Sequence, residues 1–406
     1  VGLTRHPCTV PHNTDELSKE PPYGKDWKSV EKSVKEEHAN QGFGGRFGAG
    51  LPPTSDGQIL FVQHMISKML PSEEGGSRIA VVMNGSPLFS GGAGSDMSEI
   101  RRWIIENDWL DAIVGLPDQM FYNTGISTYI WIIDNAKRPE RAGHVQLIDA
   151  RQMFTKMRKS LGNKRNELGP DNLAEITRIY EMCTDSDHSR IVRNEEFGSL
   201  EVTVERPLRQ RYEVTAESLA DLAEATAIQK LSDADRDRLF DRLRSAADAI
   251  SVSDDDVARA AVRDALANAA VKGKPIETAV LKSIAVRDED VDPSVDAKGR
   301  LLPDPTLRDT ETIGVPLERH VSWTERVDDR FEWSEYREAI EVHMRDEVLP
   351  YVPDAYVDWT RCRIGYDVPF TRRFYAYVRP RSLEEIRADL SKSQQRILEL
   401  LTEVGT

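Results

Sequence analysis

Glu20, Pro21, Pro22 and Tyr23 stand in a row ahead of Gly24, and their side chains and carbonyls can act together. The two prolines carry no backbone N–H and fix φ, so the turn they build offers rigid carbonyl oxygens with no local donor competing for them. A ligand amine can use those acceptors. Tyr23 offers its ring to a flat heterocycle, and stacking of that kind stabilises a base by about 1–3 kcal/mol. Acceptors for an exocyclic amine beside an aromatic face suit an enzyme that acts on an adenine turned out of its duplex. The plainer reading of Pro-Pro-Tyr is a stiff turn with an anchoring aromatic.

The elements that must position such a turn follow it. Residues 25–57 read as a long loop with one short helix, and the run from Gly42 to Gly50 is either a lid over a substrate or a connector. Arg46 is its one candidate for DNA contact. Beyond Gly57, Ile59 to Leu70 predicts a largely buried helix broken by Pro71, and Arg78 to Asn84 a buried parallel strand. Ser98 to Asn107 predicts a helix, Leu110 to Leu116 and Ser127 to Ile133 two more strands, and Val145 to Ala150 an edge strand. Strand, helix and strand at this spacing predict an open α/β sheet with helices on its faces. Ligands of such sheets sit at the carboxyl ends of the strands. The loops Glu20–Tyr23, Asn84–Phe89 and Pro117–Asn123 are therefore expected at one crevice. His64, in an apolar helix, reads as a core histidine.

Net charge is −15 over 406 residues, which argues against a chain that coats nucleic acid non-specifically. Local charge differs. Arg151, Lys156, Arg158, Lys159, Lys164 and Arg165 form a run with no acid among those positions, readable as a solvated helix face or as phosphate contacts. Its place after the α/β segment favours DNA. Cys8, Cys183 and Cys362 lack metal-ligand spacing and read as incidental thiols, and no metal site is expected. No apolar run approaches a membrane span and no signal peptide opens the chain, so a cytoplasmic protein with no membrane partner is expected.

Residues 215–290 carry helical periodicity at Leu219 and Leu222, Leu239 and Leu243, and Val257, Ala261 and Val262, and predict several amphipathic helices. Arg287 to Arg308 reads as a linker or extended arm. Leu383, Ile386, Leu390, Ile397, Leu400 and Val404 fall on a heptad seam with Ser393 as its polar interruption. That seam buries its stripe against this chain's own helices or against a partner.

Glu20 to Tyr23 resembles the Asn/Asp/Ser-Pro-Pro-Tyr/Phe motif of amino-methylating DNA methyltransferases. Gly57 to Met65, Asn84 to Phe89, Gly115 to Ile126, Leu349 to Ala355 and Gly365 to Arg372 resemble the modification subunit of type I restriction-modification systems, a likeness that runs from Pro21 onward and fails before it. The resemblance implies methyl transfer from S-adenosylmethionine to adenine N6. Glu20 and the Pro21 carbonyl would hold the amine, Tyr23 would stack the base, and Phe121 first and Tyr122 second would hold it from the other loop. Core packing is the alternative for Phe121. It also implies DNA, a specificity subunit and a restriction subunit as partners, with the seam of the tail against the specificity subunit.

The expected fold class is α/β, the C-terminal half of a Rossmann-like methyltransferase sheet, followed by a helical region and a coiled-coil-like helix. The expected division is a divergent segment 1–20, an incomplete catalytic-type core 21–213, helices and linker 214–310, and a subunit-interaction region 311–406 with its heptad helix at 383–404. No acidic Gly-rich cofactor loop precedes the motif, and Glu20 stands where the family has Asn or Asp. The chain therefore reads as a truncated or rearranged member, and the competing reading is an inactive remnant that serves as an assembly or DNA-binding scaffold.

Overall fold

The computed structural model describes residues 24–122, 124–296, 298–325, 328–377 and 381–404. The chain is a mixture of helices and sheets parted into two compact units. One gathers the chain through Ser90, Asn107–Phe197 and the chain from Asp367; the other gathers Gly91–Glu106 and Gly198–Tyr366.

Among the described residues the first unit contains seven strands: β1 (Arg78–Asn84), β2 (Leu110–Gly115), β3 (Thr128–Asp134), β4 (His144–Asp149), β5 (Thr155–Leu161), β6 (Lys164–Glu167) and β7 (Ser189–Arg193). Five of them form one sheet in the order β1-β3-β2-β4-β7. β2 and β4 are parallel, whereas β3 runs against both β1 and β2, and β7 against β4. The sheet is thus mixed, and β1 is not the parallel-paired strand its apolar run predicts. β3 reverses and inserts between β1 and β2, so β1 is left with one neighbour among the described residues and buries Val81 and Met83 but exposes Arg78 and Ala80. β2, in the interior, is buried along its whole length. The expected edge strand β4 is interior as well, because β7, which its sequence did not reveal, covers its far side.

Burial of Asp111 within β2 is compensated locally. Arg141 donates from Nε to Asp111 Oδ1 at 2.6 Å and from a terminal nitrogen to Gln146 Oε1 at 3.0 Å, and the Tyr180 hydroxyl donates to Asp111 as well. A buried carboxylate needs that much partnership to remain charged. Helix Pro170–Met182, which supplies Tyr180, starts with proline at its first turn and stops where Cys183 turns left-handed at φ 45°. The one helix expected within the loop 25–57 is Glu31–Gln41, 11 residues long.

In the second unit β8 (Gly198–Glu205) is central. β9 (Gln210–Tyr212) and β10 (Ala285–Arg287) pair with each other, and β11 (Asp309–Gly314) lies along one side of β8. β12 (Tyr356–Val357) and β13 (Arg363–Tyr366) also pair with β8, at its two ends. Between β9 and β10 the chain folds helices with their own core of Leu222, Leu239, Val262 and Val280. Thr215 and Asp254 accept backbone N–H groups at 3.0 Å as N-caps of two of them. Helix Asp96–Glu106 belongs to this unit, where Glu106 receives both Arg102 and Arg330.

The last helix spans Leu383–Val404, and Leu383, Ile386, Leu390, Ile397 and Leu400 remain exposed on it. Among the described residues no helix is long and apolar enough to cross a membrane.

Candidate functional site

Asn84 ends β1 and pairs with Thr128; Gly115 ends β2 and pairs with Tyr129 on one side and Asp149, the end of β4, on the other. The loops after β1, β2 and β4 therefore leave one rim of the first unit's sheet. Glu20, Pro21, Pro22 and Tyr23 lie outside the described residues. The chain that follows them is tied to the rim: Trp27 N–H donates to Thr54 O at 3.0 Å and Gly57 N–H to Lys25 O at 3.1 Å. Next to that pair, buried Gln58 donates to the Asp56 carboxylate at 2.9 Å and accepts the Asn84 N–H at 3.2 Å.

Phe370 forms part of the rim. Its ring stands edge-on to Tyr129, centroids 5.2 Å apart, and a Cβ on Gly115 would lie 2.8 Å from it. The Arg151 guanidinium lies 5.7 Å from the same ring and is held by both oxygens of Asp149 at 2.7 Å. Burial raises the Asp149 pKa, but the bonds from Arg151 outweigh it and hold the carboxyl below its ordinary value. Phe370 belongs to a stretch that carries the family likeness, yet no spacing rule joins it to Tyr129; only folding does.

The loop after β2 is strapped to the hairpin of β5 and β6. Gln119 O accepts the N–H groups of Arg165 and Asn166 at 2.9 and 3.2 Å, and Tyr122 O accepts that of Asn163 at 3.0 Å. Phe121 packs on a core of Val114, Leu116, Ile148 and Ala150, whereas Tyr122 is 62% exposed. The basic run is this hairpin and the turn before it, not a helix face: Thr155, Lys156 and Leu161 face Glu167, Asn166 and Lys164 across it, with the register irregular between Lys156 and Leu161. Lys156, Arg158, Lys159 and Arg165 are exposed and Lys164 half-buried, and among the described residues none of the five has an ion pair. Arg151 stands apart, paired to Asp149.

Arg46 is engaged elsewhere. Its Nε meets both Glu37 oxygens at 2.9 and 3.1 Å, and its guanidinium lies 4.7 Å from the Phe47 ring. His64 is buried beside it, Nδ1 at 3.5 Å from an Arg46 nitrogen. The Gly-rich loop is packed on itself: a Cβ at Gly48 would stand 2.6 Å from Phe43 N, and one at Gly45 would meet Gln41 at 3.0 Å. At Gly48 the close neighbour is backbone and at Gly45 it is the Gln41 side chain, whereas Gly42 and Gly44 have open space around them.

The sequence model of N-6 DNA methylase matches residues 3–215, over half of the chain. The chain belongs to the N-6 DNA methylase family. The match opens at residue 3, ahead of Pro21, where the likeness was expected to fail. Among curated relatives of this N-6 DNA methylase, the type I restriction enzyme MjaVII methylase subunit of Methanocaldococcus jannaschii is 30% identical over 36% of the chain and 24% of its own length. The HindI methylase subunit of Haemophilus influenzae is 35% identical over 27% of the chain and 23% of its length, and the EcoKI methylase subunit of Escherichia coli 40% over 19% and 13%. The chain thus spans under a quarter of the length of each of these three relatives. The solved type I methyltransferase subunit of Streptococcus thermophilus overlaps 44% of this chain and 34% of its own at 26% identity, with a TM-score of 0.36.

Proposed function

We propose that this chain is the base-side and DNA-facing portion of an adenine-N6 DNA methyltransferase subunit of a type I restriction-modification system. The observation that carries the reading is the rim: three loops of an N-6 DNA methylase leave one end of the sheet, and one of them is strapped to a hairpin bearing five cations that have no ion pair among the described residues. Phosphate contacts hold a protein in register on a duplex, and a loop at the strand ends is where a base would be held. In this reading Glu20 and the Pro21 carbonyl receive the adenine amine, the rigid Pro22 supports the turn, and Tyr23 stacks the base.

S-adenosylmethionine is the methyl donor inferred from the family. The sheet is read as part of a Rossmann-like methyltransferase fold, and the exposed seam of helix Leu383–Val404 as the face for a specificity subunit, with a restriction subunit in the same cytoplasmic complex. Glu20, where the family motif has Asn or Asp, favours a second reading, a DNA-binding scaffold without transferase activity.

Transfer of a labelled methyl group from S-adenosylmethionine to an adenine-containing duplex, with the full chain and any co-purifying partner, separates the two. Label in the DNA supports the enzyme. DNA binding with no transfer, by both the native chain and Glu20→Asn, supports the scaffold. Neither binding nor transfer defeats both.

A further inference from the structure

Between the loop after β2 and the hairpin lies a cleft of about 350 Å³, lined by Gln119, Lys156, Met157, Ser160, Arg165 and Asn166. We propose that this cleft seats one phosphodiester, with its sugar, of the DNA strand bound at the rim. The inference rests on the DNA-facing reading above and assigns a site within it.

The lining decides the ligand class. Lys156 and Arg165 bring two positive charges, while Gln119 and Ser160 add an amide and a hydroxyl. No aromatic ring lines the cleft and Met157 is its one apolar side chain, so it offers nothing for a base to stack on. Cations and neutral donors without a stacking face match a phosphate and its sugar rather than a base edge. Lys156 faces Asn166 across the hairpin, and Asn166 is itself buried and fixed by its bonds to Asp118 O and Oδ1 at 3.0 and 3.2 Å. The Asp118 carboxylate accepts the Asn166 amide, and the other nearby anion, Glu167, faces Thr155 at the open end of the hairpin.

Gln119 supplies the second, independent observation. Its φ is 54°, in the left-handed region where a side chain carries a cost, and its carbonyl holds two hairpin N–H groups. Glycine would take that backbone more comfortably. A strained non-glycine residue held by its surroundings, with its side chain on a cationic cleft, is the pattern of a binding position. The same two bonds couple the cleft to Phe121 and Tyr122, two and three residues on. A phosphate seated there sets the loop that faces the base.

The test is binding of a fluorescein-labelled duplex to the full chain by anisotropy across a salt series. Lys156→Gln and Arg165→Gln should each weaken binding equally for all sequences and reduce the slope of log K against log salt by about 1. The paired control is Arg158→Gln with Lys159→Gln, on the same hairpin but outside the cleft, which should change the slope less than the cleft pair does. Gln119→Gly should keep or raise the melting temperature while it weakens DNA binding. Equal loss from the cleft pair and the control pair, or unchanged binding by Gln119→Gly, overturns the seat and leaves DNA binding by the hairpin standing. No binding by the native chain overturns the seat together with the DNA-facing reading.

Discussion

Phe370 meets Tyr129 edge to face, ring centroids 5.2 Å apart and planes inclined at 71°, over the Cα of Gly115. The contact joins helical residue Phe370 to the start of β3 at the sheet's rim, and an edge-to-face pair of this kind contributes about 0.5–1.5 kcal/mol beyond its burial. Gly115→Ala places a methyl group 2.8 Å from the Phe370 ring. We expect a loss of about 1–3 kcal/mol in unfolding free energy, as for other overpacked sites. Denaturant melts measure it, and Phe370→Leu in the same chain should recover most of the loss; no recovery would show that the ring is not what the methyl group meets.

Arg46 is a structural cation in this fold. Its hydrogen bonds, ahead of the opposing cost of burial, hold the Glu37 carboxyl below its ordinary value. A carboxyl with a depressed folded-state pKa contributes stability above its unfolded pKa, and that stability disappears as pH falls through the folded value. Arg46→Met should therefore cost about 1.5–3 kcal/mol at neutral pH and progressively less below the ordinary glutamate range. Thermal melts against pH give the comparison. A duplex affinity unchanged in Arg46→Met would confirm that the residue serves the loop, whereas a fall in salt slope would return it to the DNA surface.

Asp111 and Arg141 test the interior of the sheet. Both side chains are almost wholly buried and meet at 2.6 Å. Removing either partner leaves the other charged without its counterpart, so Asp111→Ala and Arg141→Met should each cost about 3–5 kcal/mol. The double variant should cost less than the sum, because the second change removes a charge already stranded. Additive losses in chemical denaturation would contradict that coupling.

Tyr180 gives an alkaline signature. Burial first, and then its bond to Asp111, push its hydroxyl up to about 12 from an ordinary 10.0. Stability from a raised pKa is intact below the unfolded value and is lost as pH climbs through the folded one. Between those two values the native protein should lose stability faster than Tyr180→Phe, as read by melting temperature against pH; parallel curves would refute the shift.

The tail should separate folding from assembly. Leu390 and Ile397 are 58% and 57% exposed, so Leu390→Glu with Ile397→Glu should leave the melting temperature within the small range of surface substitutions. The same pair should abolish capture of a specificity subunit in co-expression. A large drop in melting temperature would mean that the seam packs within this chain.

Local pattern sufficed wherever a residue's neighbours in the chain set its structure. The apolar runs Leu110–Gly115 and Thr128–Asp134 are buried strands, and the heptad of Leu383–Val404 is one helix of 22 residues. The motif text likewise sufficed for the family, since membership is carried by residue identity. Pairing was beyond its reach. An apolar strand reads the same whether its neighbours run with it or against it, so the reversal of β3 and the covering of β4 by β7 were decided only when distant segments met. The cationic stretch from Lys156 to Arg165 became a hairpin because Gln119 and Tyr122 offer it carbonyls from another loop, and hydrogen bonds between segments leave no period in a sequence. Phe370 entered the rim for the same reason: its partner Tyr129 is near in space and remote in the chain, and only burial in the folded state brings the two rings together.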